Sequence, residues 1–298
     1  MSNPQADSAP KRRFSSRVSY YVKARPGYPP EILEFLIQTG ALATDSVIAD
    51  VGCGTGLLAE LFLKNDNTVF GVEPNPDMRT AGEQYLAAYP RFHSIDGSAE
   101  ESTLDTASVD LVTAGQAFHW FDVEEARREF TRILRPGGSV VLLWNKPRSD
   151  ASPFMQAYHD MRAGVPERDD GRREDATRTP LSGNDKRTAD PAPLQQARSA
   201  GSADVARDTS AMPTPGAKER LFGIAGLESR TFSNQQTLDF NGIMNRVLSE
   251  SGAPLPGDWR YPAMMEELER AFRTHQENGF VELLYDTRVH WGHIGDPL

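Results

Sequence analysis

Residues 47–64 read Val47-Ile48-Ala49-Asp50-Val51-Gly52-Cys53-Gly54-Thr55-Gly56-Leu57-Leu58-Ala59-Glu60-Leu61-Phe62-Leu63-Lys64, and three kinds of segment succeed one another in them. Val47 to Val51 is a short run with β-branched residues, the composition of a buried strand. Gly52, Gly54 and Gly56 then mark a tight turn, and Leu57 to Lys64 recurs with helical period. Glycines at such a turn let the backbone bend sharply and admit a ligand close to the main chain. The helix that follows offers unpaired N–H groups at its start. A glycine-rich loop alone fits many ligands. Here the dinucleotide fingerprint is broken, because the position that needs its third glycine is Leu57. The lysine of a phosphate-binding P-loop is missing too. The next apolar run, Thr68–Val72, leads to Glu73, where a carboxylate can accept hydrogen bonds from both hydroxyls of a ribose. Loop and carboxylate together describe a site for a nucleoside without a diphosphate.

Outward from this centre the pattern alternates. Ile32, Leu33, Phe35, Leu36 and Ile37 form a helical stripe between Pro29-Pro30 and Gly40. Residues 77–88 read as a helix, Phe92–Ile95 as a weak strand, Val109–Ala114 as a fourth strand and Val123–Leu134 as a helix. Ser139–Trp144 is a fifth strand after a Pro136-Gly137-Gly138 turn. Strands alternating with helices at this spacing predict a parallel sheet covered on both faces. The composition then breaks, with no Phe, Trp or Tyr between His159 and Leu221. Such a stretch cannot bury enough apolar surface to offset the entropy of ordering. We therefore expect a disordered tail at 1–13, a core at 14–163, a disordered or poorly packed insertion at 164–217, and a C-terminal part at 218–298. In that last part, strands near 228–233 and 281–290 complete the sheet, and helices near 238–249 and 262–276 form a small cap.

The 298 residues carry 32 Lys and Arg against 42 Asp and Glu, a net charge of -10. That balance argues against a nucleic-acid partner, which needs concentrated cations. One cysteine, Cys53, allows no internal disulfide and no cysteine-based zinc site, and no metal is expected. The absence of a long apolar run predicts no membrane partner and a cytoplasmic location.

The chain resembles the class I S-adenosylmethionine-dependent methyltransferases. The resemblance rests on DVGCGTG (50–56), VEPN (72–75), DGSAEES (96–102), VDLVTAGQAFHWFD (109–122) and RILRPGGSVVLLW (132–144), in the family's order over about 30–145. Gln116 to Asp122, YYVKARPGYP (20–29) and VELLYDTRVHWG (281–292) look more narrowly like the small-molecule, trans-aconitate-type branch. The resemblance implies an α/β, three-layer Rossmann-like methyltransferase fold with a mostly parallel sheet and an antiparallel last strand. It implies S-adenosyl-L-methionine as cofactor and direct displacement of its methyl group by an acceptor oxygen, nitrogen or carbon, yielding S-adenosylhomocysteine. A small metabolite, such as a carboxylic acid or a phenol, would be the acceptor.

Carried over by residue, Gly52, Gly54 and Gly56, with Cys53 and Thr55 between them, would line the methionine moiety, and Asp50 would orient that loop. Glu73 would hold the ribose, Ser98 and Ala99 would face the adenine, and Gln116 would contact the methionine end or close the pocket. His119 is the candidate general base, since an unperturbed histidine titrates near pH 6.5; the alternative is that it shapes the pocket. Tyr21, Arg25, Tyr28 and Trp120 are candidates for acceptor contact, Arg25 binding a carboxylate of the cofactor or the acceptor through its planar fork, with plain packing as the competing reading. Cys53 reads as a small, unreactive side chain beneath the loop. Two rival functions stay open. One is a nucleoside-binding regulatory protein that lost turnover. The other is an aminopropyltransferase, which would want several carboxylates after the fourth strand where GQAFHWFD supplies only Asp122.

Overall fold

The computed structural model describes residues 20, 24–165, 215–223, 226–250 and 252–296. The expected tail at 1–13, Tyr21, and all but the ends of the 164–217 segment lie outside the described residues.

Helix α1 (Glu31–Gln38) precedes β1 (Val47–Val51), and α2 (Leu57–Leu63) leads into β2 (Thr68–Val72). Then come α3 (Pro76–Tyr85), β3 (Phe92–Ile95), β4 (Val109–Gly115), a 3-10 turn (Phe118–Trp120), α4 (Val123–Ile133) and β5 (Leu134–Pro147). Helices α5 (Pro153–Gly164) and α6 (Ala217–Phe222) are followed by β6 (Glu228–Leu238), α7 (Phe240–Leu248), α8 (Tyr261–His275) and β7 (Val281–Gly292). The strands form one sheet in the order β3-β2-β1-β4-β5-β7-β6. β1 to β5 run parallel, and β7 is antiparallel to both of its neighbours. The strand order reverses between β1 and β4, which opens a crevice at their carboxyl ends.

Local chemistry sets the helix starts. The Asn75 side chain accepts hydrogen bonds from the Asp77 and Met78 amides ahead of Pro76, and Asp122 does the same for Glu124 and Glu125. Ser152 caps α5 and Asp239 caps α7. Each such cap stabilises by about 1 kcal/mol.

Alternate strand residues face opposite layers. Ala49, Val51, Val112, Val140 and Leu142 pack with Phe130 and Ile133 of α4 and with Leu221 and Phe222 of α6. Ile48, Val69, Leu111, Val141 and Leu143 pack under α1 and α2. A third cluster joins α5, α7 and α8 to the first half of β7. Fully burying each large apolar side chain contributes about 1.5–3 kcal/mol.

Several elements differ from expectation: α6 was not expected and begins at Ala217, inside the expected 164–217 insertion, and β6 continues to Leu238 instead of ending near 233. β5 begins at Leu134, not Ser139, because Val109 pairs with Leu134 and Leu111 with Ser139, so the 135–138 turn is an irregularity within one strand. Helix α5 was hidden by the polar composition beginning at His159, although Ser152-Pro153 is a start signal. Phe154, Met155, Tyr158 and Met161 bury its inner face.

Candidate functional site

The site grows from the end of β1. Gly52, Gly54 and Gly56 all have positive φ, at 68°, 57° and 86°. A Cβ on Gly52 would sit 2.6 Å from that of Ala117, and one on Gly56 would sit 2.5 Å from Leu86 Cδ1. Side chains are therefore excluded by the neighbouring loop and helix as well as by backbone strain. The Gly52 and Cys53 amides donate to the Val72 carbonyl at 2.8 and 3.2 Å, which ties the turn to β2.

Glu73 braces the same turn. One carboxylate oxygen accepts from the Gly54 amide and the other from the Asn75 amide, both at 2.9 Å. Arg79 joins the Glu73 carbonyl (2.8 Å) to the Asp96 carboxylate (3.0 Å), binding the ends of β2 and β3 together. Beyond β3, Ser98 accepts through its hydroxyl from Glu100 and Glu101 and shapes the loop, while Ala99 is buried in the first core cluster.

Asp50 is fully buried, opposite Gly71 of β2 and Thr113 of β4. The Thr113 hydroxyl donates to its Oδ1 at 3.1 Å. Its Oδ2 is buried and makes no hydrogen bond of normal geometry. Burial pushes the carboxyl up to about 7, opposed by the Thr113 hydroxyl and the Ala59 amide and reinforced by Glu73. Two more buried oxygens lack partners, Oγ1 of Thr55 and Oε1 of Gln116. Gln116 has φ 57°, unusual for a residue with a side chain. Its amide donates to the Leu143 carbonyl and its Nε2 to the Asn145 carbonyl.

These three residues line one pocket, whose empty space is about 480 Å³ including a part open to solvent. The pocket is also walled by Arg25, Tyr28, Cys53 and Asn145. The Cys53 sulfur lies 2.9 Å from where a Gly71 Cβ would stand. Burial and the nearby Asp50 and Glu73 carboxylates push its thiol well above the ordinary range, so no thiolate forms there. Tyr28 places its hydroxyl over Gly115, and Arg25 donates to the Ser249 carbonyl at 2.8 Å.

The structure thus brings Asp50, Gly52, Cys53, Gly54, Thr55, Gln116, Arg25 and Tyr28 to one pocket. Gly56, Glu73, Ser98, Ala99, His119 and Trp120 stand outside its wall. Glu73 and Ser98 follow the ends of β2 and β3, on the same edge of the sheet. His119 is buried in the 3-10 turn, its ring centroid 4.9 Å from that of Trp120. Sequence reasoning missed Asn145. Its signal was a polar residue closing the apolar run Ser139–Trp144. It also missed Thr113, the hydroxyl inside VDLVTAG that holds Asp50. Among the described residues no group of three His, Cys, Asp or Glu could hold a metal ion, and no helix is long and apolar enough to cross a membrane.

Residues 49–142 match the family model described as a methyltransferase domain. An uncharacterized methyltransferase of Mycobacterium tuberculosis is 39% identical over 132 residues, covering 44% of this chain and 51% of the relative. One of Schizosaccharomyces pombe is 34% identical over 146 residues, 49% of this chain and 57% of the relative. The chain spans about half the length of the curated relatives it matches. Among solved structures, a protein assigned as a type II methyltransferase from Anaeromyxobacter dehalogenans aligns with a TM-score of 0.53 at 18% identity, covering 91% of this chain and 98% of that one. One assigned to an antibiotic biosynthesis pathway from Anabaena variabilis aligns with a TM-score of 0.52 at 19% identity over the same shares. At that identity the likeness establishes the fold.

Proposed function

We propose that this chain, whose residues 49–142 match a methyltransferase domain model, transfers the methyl group of S-adenosylmethionine to a small-molecule acceptor and releases S-adenosylhomocysteine. The observation that carries the reading is the set of unpartnered buried oxygens on Asp50, Thr55 and Gln116. Hydrogen-bond acceptors left without donors in a pocket call for a ligand rich in N–H groups, and an ammonium offers three. The Arg25 guanidinium on the same wall is a fork suited to a carboxylate. Ammonium and carboxylate side by side are the amino-acid end of the proposed cofactor. The positive-φ glycines leave room for its sulfur beside the backbone. Glu73, already oriented by two amides, keeps acceptor capacity for ribose hydroxyls.

When bound, the sulfonium supplies an activated methyl group. The chain's own residues hold it by both ends, align the acceptor and exclude water; positioning of this kind contributes roughly 7–11 kcal/mol. His119, on the same edge of the sheet, is proposed as the base for an acceptor that must lose a proton. His119→Ala then lowers turnover with cofactor affinity unchanged, and equal turnover assigns the ring to packing.

Calorimetric titration with S-adenosylmethionine and S-adenosylhomocysteine, followed by product release over a panel of small carboxylic acids and phenols, tests the proposal. Binding with turnover supports it. Binding with no turnover on any acceptor points to a nucleoside-binding protein, and no binding overturns the assignment.

A further inference from the structure

The wall of the pocket formed by Arg25, Pro26 and Tyr28 belongs to a short strap, Ala24–Tyr28, ahead of α1. Side-chain amides from distant strands hold its backbone. The Gly27 carbonyl accepts from Asn145 Nδ2 at 3.1 Å and from Asn234 Nδ2 at 2.9 Å. The Ala24 carbonyl accepts from Gln236 Nε2 at 3.2 Å. Around Gly27 there is open space, with nothing within 4 Å of where a Cβ would stand, so its carbonyl and not its packing fixes it.

Asn145 is 3% exposed and committed at both ends of its amide. Its Oδ1 accepts from Thr287 Oγ1, the residue directly opposite on β7, at 2.5 Å, and from Asn234 Nδ2 at 3.1 Å. That leaves Nδ2 to face the strap, and a flipped amide would set its carbonyl against the Gly27 carbonyl and its N–H donors against the Asn234 amide donor. The Asn145 backbone carbonyl accepts from Gln116 Nε2, which fixes that amide beside the pocket wall.

We propose that Asn145 is a positioning residue for the cofactor: with Asn234 and Thr287 it grips the Gly27 carbonyl and so holds the strap, with Arg25 and Tyr28, across the pocket at the carboxyl ends of the strands. The inference rests on the function proposed above for its ligand, but the clamp itself is a property of the free protein. A strap held this way costs less order at the moment of binding, because its conformation is set beforehand.

Two full-length variants test it, Asn145→Asp and Asn234→Ala. The first keeps the acceptor toward Thr287 and Asn234 but loses the donor toward Gly27. The second removes one arm of the clamp at a residue outside the pocket wall, and remains informative if the first fails to fold. Hydrogen exchange of peptides spanning 24–28 in the free protein should accelerate at least tenfold in both, with exchange in β1 to β4 unchanged. The dissociation constant for S-adenosylhomocysteine should rise at least tenfold in both. Unaltered exchange at 24–28 overturns the clamp. Faster exchange with wild-type affinity overturns the positioning role. A wild-type chain that binds no S-adenosylhomocysteine overturns the proposed function and the ligand half of this inference, while exchange at 24–28 still decides the clamp.

Discussion

Asp50 holds a carboxyl in a place that favours its neutral form. Burial raises it to about 7 in the folded chain, against about 3.9 unfolded. A group raised on folding contributes stability that is fully present below its unfolded value and is lost as pH rises through the folded one. At about 1.4 kcal/mol per unit, the charged Asp50 costs the free protein on the order of 4 kcal/mol above pH 8. Asp50→Asn keeps the shape and removes the charge. Its thermal midpoint should exceed the wild type's at pH 8, with the difference closing toward pH 5; a constant difference would mean that Asp50 does not titrate in this window. A ligand ammonium against Asp50 reverses the preference. Binding of S-adenosylmethionine at pH 6.5 should therefore release protons, an effect that disappears near pH 9, measurable by titration in buffers of differing ionisation enthalpy. Glu73 answers to a different rule, because its two oxygens already serve the Gly54 and Asn75 amides. Glu73→Gln turns an N–H group against one of those donors. We expect a stability loss of about 1–3 kcal/mol in urea unfolding together with at least tenfold weaker cofactor binding. Weaker binding with unchanged stability would assign Glu73 to the ligand alone. The charge at Glu73 was legible in the sequence from its place at the end of a strand. Its hold on Gly54, nineteen residues back, was not, because no local pattern announces which amide a carboxylate will meet.

At the level of elements, period and turn chemistry made most of the sheet readable, since strands and helices obey spacings of two and 3.6 residues. The misread pieces have particular causes. Pro136-Gly137-Gly138 looks like the end of one element and the start of another, yet pairing of Leu134 with Val109 keeps both sides in a single strand. Helix α5 carries its apolar stripe into a region whose average composition is polar, so a window average hides it. Asn145 stood in view at a strand end, but its side-chain partners Asn234, Gly27 and Thr287 lie 89, 118 and 142 residues away in sequence. The elements beyond β5 are joined by charge as well as by apolar packing. Glu250, just after α7, faces Arg246 at 2.9 Å and Arg162 of α5 at 2.5 Å, and Tyr158 donates to the same carboxylate at 3.2 Å. Arg246 reaches Tyr285 of β7 at 3.3 Å. With Arg246 and Glu250 each 5% exposed, removing the carboxylate strands buried positive charge. Glu250→Gln should cost about 3–5 kcal/mol, read from urea unfolding at pH 7. A loss below about 1 kcal/mol would mean that water already reaches the pair.

Across the whole molecule, the sheet and its helices form three apolar clusters among the described residues. The elements on either side of residues 166–214 are each committed to a cluster of their own. Helix α5 buries Phe154, Met155, Tyr158 and Met161 in the third, and α6 buries Ala217, Leu221 and Phe222 in the first. The sequence between them offers no aromatic side chain from which to build another core. Replacing residues 170–212 with a Gly-Ser linker of about half their number tests whether the chain's stability depends on them. Halving a flexible connection changes its closure entropy by only about 0.6 kcal/mol, in the stabilising direction. For a body of this size that is a rise of about 2 °C in thermal midpoint. Affinity for S-adenosylhomocysteine should be unchanged, because the described residues that wall the pocket all lie between 25 and 145. A midpoint lowered by more than about 5 °C would mean that the replaced residues bury surface against the body, since a loss of that size exceeds what loop closure can produce. An unchanged midpoint with weakened affinity would mean instead that they reach the pocket when ligand is present.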